Sequence, residues 1–139
     1  MFTRIFNTLS LMIITALAVS ACGSLPIASG GGNTLKIVSS LPMTGASETQ
    51  TTAITQAIKL RLEQAKGKAC NCKYSIIYQA CDDSSKEVGR WDPAVESKNA
   101  KAAAADSSIV LYIGPFNSGA AKLSIPILNQ AGPLAMISP

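Results

Sequence analysis

Four short runs of apolar and β-branched residues recur along the chain, each separated from the next by a stretch long enough for a helix. No other feature constrains the fold as much. Thr34–Leu41, TLKIVSSL, reads as a first strand closed by Pro42. Residues 73–80, KYSIIYQA, read as a second strand, 108–113 as a third and 134–137 as a fourth. Over residues 47–64 the period changes to that of a helix. Ala53, Ile54, Ala57, Ile58, Leu60, Leu62 and Ala65 predict its apolar side, Gln56, Lys59, Arg61 and Glu63 face mostly outward, and Gly67 supplies a stop. A polar loop with Gly89 follows the second strand. Asp92-Pro93 then opens a second helix, Asp as N-cap and Pro at the first helical position, running through the alanines to Ala105. A third helix starts near Ser118, is interrupted or kinked at Pro126 and stops before Gly132-Pro133.

The order βαβαβαβ predicts an α/β fold, a parallel doubly wound sheet with right-handed crossovers and helices on both faces. The third strand, apolar throughout, fits burial on both faces. In such sheets ligands sit beyond the carboxyl ends of the strands, where strand order reverses. With strands one and three as neighbours, the loops 41–45 and 114–119 share that crevice. Ser118 is placed to cap the third helix. Gly119, Ala120 and Ala121 leave the first-turn N–H groups sterically open, and those donors favour a carboxylate. The plain alternative is that Ser118 caps its own helix and nothing binds.

The beginning of the chain reads as a targeting segment. Arg4 gives a thin positive region, and residues 9–19, LSLMIITALAV, form a predominantly apolar run without a charge. A spanning helix needs about 20 apolar residues, whereas the apolar part of a signal peptide runs to about 7–15. Val19-Ser20-Ala21-Cys22 resembles a bacterial lipobox, in which the cysteine is lipidated and becomes the mature N-terminus; an ordinary secretory signal is the alternative. The next residue is Gly23 and not Asp, so the resemblance does not imply retention at an inner membrane. Acyl chains add about 0.8 kcal/mol per buried CH2, enough for several to hold a soluble domain durably. Residues 1–22 are therefore read as a lipoprotein signal peptide, 23–33 as a flexible tether, and 34–139 as the folded part. Because the chain stops directly after an apolar run, it reads as a fragment of a longer protein. The formal net charge of +4 is scattered and aromatics are 5% of residues, which argues against a nucleic-acid partner.

TLKIVSSLPMTG, the helix after it, WDPAVESKNAKAAAADSSIVLYIGPFNSGAAKLSIPILNQAG and PLAMISP, taken in this order, resemble the start of a type I periplasmic binding protein. The likeness is greatest to the leucine/isoleucine/valine-binding, branched-chain amino-acid group of ABC transporters, and it runs from Thr34 to Pro139. In that family two α/β lobes close over a ligand, which is then delivered to an ABC permease. The resemblance implies a partial N-terminal lobe with no cofactor, a small amino acid or amide as ligand, permease subunits as partners and a location outside the cytoplasm, anchored through lipidated Cys22. Carried over by position, the family's carboxylate-binding serine falls on Ser118, with Asn117, Gly119, Thr44 and Gln50 as further ligand-binding candidates. Gln50 stands where relatives often carry an aromatic, which leaves amides, short peptides and other polar solutes open beside leucine. Relatives can pair a cysteine at the end of the second strand with one after the third strand; here the latter position holds Asn117.

Cys70, Cys72 and Cys81 are read as structural or unpaired thiols. A disulfide between Cys72 and Cys81 is excluded by the strand between them, which at about 3.3 Å per residue sets them about 30 Å apart. C-x-C without histidine is a poor metal site. Asp82 and Asp83 read as loop carboxylates whose side chains point apart, and Trp91 as a staple that holds the loop to the domain. Without a histidine base, and with Asn117-Ser118-Gly119 unlike a nucleophile elbow, an enzyme is not expected. The other class to weigh is the sensing domain of an amino-acid or amide receptor, which shares the fold; the lipobox favours a tethered transport component.

Overall fold

The computed structural model describes residues 32–130, 132 and 134–139, so the predicted leader, Cys22 and most of the predicted tether lie outside the described residues. The chain order is β1 (Thr34–Leu41), a 3-10 turn (Gly45–Ser47), α1 (Glu48–Gln64), β2 (Lys68–Ala69), β3 (Tyr74–Asp82), β4 (Ser84–Ser85), β5 (Arg90–Trp91), α2 (Pro93–Ala105), β6 (Ile109–Ile113), α3 (Ser118–Gln130) and β7 (Ala135–Ile137). Five strands form one sheet in the order β2-β3-β1-β6-β7, and β4 pairs with β5 in a separate hairpin. β1 runs parallel to β3 over its whole length, Thr34 opposite Ser75 through Leu41 opposite Asp82. It runs parallel to β6 on its other side, and β6 runs parallel to β7. Only the short β2 is antiparallel in this sheet.

The α/β alternation and the parallel sheet are as the sequence predicts, and the first predicted strand does lie beside the third, β6. This topology moves one way along the sheet from β1 to β3 and the other way from β3 through β6 to β7. Right-handed crossovers therefore put α1 on one face and α2 and α3 on the other. The packing follows. Val38, Cys81 and Tyr112 from the strands meet Ala100, Ala103 and Leu128 from α2 and α3 in the buried core. Ile37, next to Val38, faces the other way; with Ile113, Ile54, Ala57, Ile58, Arg61 and Leu62 it lines an apolar groove of about 440 Å³ beside α1.

Several local expectations need correction. The buried side chains of α1 are Thr51 and Thr55, with Ile54, Ile58 and Leu62 half-buried beside them. Those five share one stripe at helical spacing. Ala53 and Ala57 are exposed and Leu60 is 56% exposed, so the predicted apolar side was drawn too wide. Thr51 can be buried because its hydroxyl donates to the Pro42 carbonyl at 2.6 Å. The second strand is longer than predicted and ends at Asp82, and the polar loop beyond it folds into the β4–β5 hairpin. β6 is not covered on both faces, since Val110 is 41% exposed. α3 runs through Pro126 without interruption; the proline is exposed, so the one helical hydrogen bond it cannot donate is lost at the solvent side. α2 starts as read, with Asp92 Oδ1 accepting from the N–H of Ala94 at 2.8 Å and of Val95 at 3.4 Å.

Candidate functional site

Three connections leave the carboxyl edge of the sheet side by side: 42–47 after β1, 83–92 after β3 and 114–117 after β6. Asp82 ties the first to the second. Its Oδ1 accepts from the Met43 N–H at 2.9 Å, the Ser84 N–H at 2.8 Å and the Ser84 hydroxyl at 2.5 Å. Ser84 Oγ also lies 2.5 Å from Thr44 Oγ1. Gly45 has φ +81, and a Cβ there would meet the Gly89 carbonyl oxygen at 2.0 Å. Residue 45 is thus glycine for two reasons, conformation and close approach. The sequence reading of Asp82 as a loop carboxylate is corrected: it ends β3 and organises both neighbouring loops. The two acids do have different surroundings, since Asp83 is fully buried.

The third connection is fixed from below. Gly114 donates its N–H to the Ile137 carbonyl at 2.7 Å, and a Cβ on it would lie 2.2 Å from the Ser40 carbonyl oxygen. Ser138 donates its hydroxyl to the Pro115 carbonyl at 2.9 Å. α3 then begins, with the Ala121 N–H donating to the Asn117 carbonyl at 3.0 Å as its first turn closes. Asn117 therefore holds the cap position and Ser118 is the first helical residue, which corrects the reading of Ser118 as the cap. The N–H groups of Ser118, Gly119 and Ala120 have no acceptor within the helix. Asn117 Oδ1, the atom that an N-cap uses to accept from such donors, is buried and has no hydrogen-bond partner. Ser118 and Gly119 are exposed.

Trp91 closes the arrangement. At the end of β5, it lies against the first turn of α3, where a Cβ on Gly119 would meet its Cζ2 at 2.8 Å. The hairpin thus touches loop 42–47 through Gly89 and α3 through Trp91. Of the five predicted ligand-binding residues, Asn117, Ser118 and Gly119 stand together at the mouth of α3. Thr44 is engaged with Ser84 on the neighbouring connection, and Gln50 is exposed on the first turn of α1. Sequence reading missed the structural weight of Asp82 and Ser84, whose only signal was an acidic pair at a strand end.

Beneath the crevice lies a buried polar cluster. Glu96, on α2 and fully buried, accepts from the hydroxyls of Ser40 at 2.5 Å, Tyr112 at 2.9 Å and Ser124. Asn99 donates to Ser40 Oγ at 3.0 Å and to the Asp82 carbonyl at 2.9 Å. Burial raises the Glu96 carboxyl, and the three hydroxyls oppose that rise. Asp83 has no partner for either carboxylate oxygen; burial, then the charges of Glu96 and Asp82, push it up to about 7. Among the described residues no group of three or more His, Cys, Asp or Glu is arranged to hold a metal ion. Cys70 and Cys72 are free and exposed on the β2–β3 turn.

No protein-family model matches the sequence, and neither does any curated protein. Solved structures do match. The branched-chain amino acid transporter substrate-binding protein LivJ from Streptococcus pneumoniae, in complex with isoleucine, aligns with TM-score 0.63 and 21% identity over 76% of this chain and 28% of its own. The leucine-binding protein LivK from Thermotoga maritima aligns with TM-score 0.62 and 19% identity over 75% of this chain and 27% of its own. A solute-binding protein of an ABC transporter from R. palustris, in complex with benzoate, gives TM-score 0.62 and 24% identity over 77% and 27%. The chain spans little more than a quarter of the length of each. It has the fold of part of one lobe of a type I periplasmic binding protein, the architecture that solute-binding proteins of branched-chain amino-acid ABC transporters share.

Proposed function

We propose that this chain forms part of the ligand-binding lobe of an extracytoplasmic solute-binding protein, one that collects a small carboxylate-bearing solute for an ABC permease. One observation carries the reading: Asn117 Oδ1 makes no hydrogen bond and so does not cap α3, whose first N–H groups have no acceptor within the helix and lie beside exposed Ser118 and Gly119. They lie at the carboxyl edge of the sheet, next to the central strand, where partial positive charge from the helix and open donors suit an anion. The neighbours bind amino acids and benzoates, and both ligand types carry a carboxylate. Asn117, Ser118 and Gly119 would receive that group, with Thr44 and Gln50 on the opposite wall. The leader would direct export, and lipidated Cys22 would hold the domain at the membrane through residues 23–33.

Calorimetric titration with leucine, isoleucine and benzoate tests the reading. Replacing Ser118 by Ala is expected to weaken the binding of the solute that binds by about 1–3 kcal/mol, the range for losing a hydrogen bond to a charged group. Unchanged affinity would remove Ser118 from the site. Metabolic labelling with palmitate tests the anchor separately: Cys22→Ser is expected to abolish the label, and a retained label would place lipidation elsewhere.

A further inference from the structure

We propose that Trp91 sets the ligand class of the crevice, selecting a flat aromatic carboxylate over an aliphatic amino acid. The inference rests on the carboxylate site at α3 proposed above and specifies the body of the solute attached to that carboxylate. Trp91 is the single tryptophan of the chain, and its backbone is pinned on both sides. It pairs with Ser84 across the hairpin, and the next residue, Asp92, caps α2 and donates its own N–H to the Asp83 carbonyl at 2.7 Å. The indole is half-buried, with its benzo edge over Gly119: a Cβ there would lie 2.8 Å from Cζ2 and 3.2 Å from Cη2. Glycine at 119 thus makes room for the ring beside the donors of α3. A solute whose carboxylate accepts from those donors carries its body past the indole, where an aromatic ring gains from ring–ring contact beyond what an aliphatic chain does.

Phe116, two residues before Ser118, adds a second half-buried aromatic to the same connection. The flank of the α3 mouth is thus aromatic.

Because Trp91 is the only tryptophan, its fluorescence reports on this corner alone. Benzoate and leucine are titrated against the full chain, following Trp91 emission and, in parallel, heat. Benzoate is expected to change the emission saturably and to bind at least tenfold more tightly than leucine. Trp91→Leu should remove that preference and Trp91→Phe should keep it, with circular dichroism verifying the fold of both. If Trp91→Leu does not fold, the Phe variant and the emission change decide the matter. Leucine binding as tightly as benzoate, or a preference that survives in Trp91→Leu, overturns the inference and leaves the carboxylate site standing. Binding of neither solute overturns both.

Discussion

Asp83 shows how much of this molecule is decided by single groups. Its neighbour Asp82 accepts three hydrogen bonds on one oxygen, whereas Asp83 is buried with both oxygens unpartnered. Burial and the nearby Glu96 and Asp82 raise it to about 7, so the folded chain binds a proton there that the unfolded chain, near 3.8, has released. Stability associated with Asp83 is therefore fully present below about pH 4 and is lost as the pH rises towards about 7. Asp106 acts in the opposite range. The Lys36 ammonium at 2.7 Å, together with Ser108, holds it down to about 2, and its contribution is lost as the pH falls below about 4. Urea denaturation should give a lower midpoint at pH 8 than at pH 5, and Asp83→Asn should flatten that difference. A midpoint that rises with pH in this range would contradict the assignment. The sequence places the two acids in a loop with side chains pointing apart, but which of them is buried near Glu96 depends on a helix that begins ten residues later.

The elements most legible in the sequence are those with a chemical marker at their boundary. Asp92-Pro93 specified the start of α2 to the residue, and the side chain makes the capping contacts that were expected of it. Asp92→Ala should lower stability, because two first-turn N–H groups lose their acceptor, measurable as a drop in Tm; an unchanged Tm would mean that tertiary packing alone holds the helix start. β1 was legible over its full length, since β-branched and apolar residues run up to a proline. The stripe of α1 was less so. Two threonines lie on its buried side, and counting only apolar residues missed them, although a threonine hydroxyl that reaches a carbonyl such as that of Pro42 can be buried at little cost. At α3 the donors were foreseen but their cap was placed one residue late. The hairpin that carries Trp91 had no alternating pattern to announce it, since two-residue strands are too short for periodicity.

At the scale of the whole chain, alternation of strand and helix was enough to give the sheet and its switch point, because parallel pairing with right-handed crossovers leaves few topologies. The solved structures share that fold at 19–24% identity. Distant sequence can keep a fold while its loops change, and here the hairpin after β3 bridges the two walls of the crevice. The crevice is built by close approach: Gly45 against Gly89, Gly119 against Trp91, Gly114 against Ser40. None of these contacts is local in sequence, so the chemistry of the α3 mouth could be read from the residues, whereas its walls could not.

Everything proposed for function depends on the N–H groups of residues 118 to 120 donating to a negatively charged guest. Backbone amide chemical shifts of the nitrogen-15-labelled chain, followed by NMR during titration with benzoate and with uncharged benzamide, read those groups directly. Benzoate should shift the Ser118, Gly119 and Ala120 resonances saturably and more than any others, and benzamide should shift them far less. Equal shifts with both compounds, or shifts confined to another part of the sheet, would mean that the mouth of α3 does not receive a carboxylate.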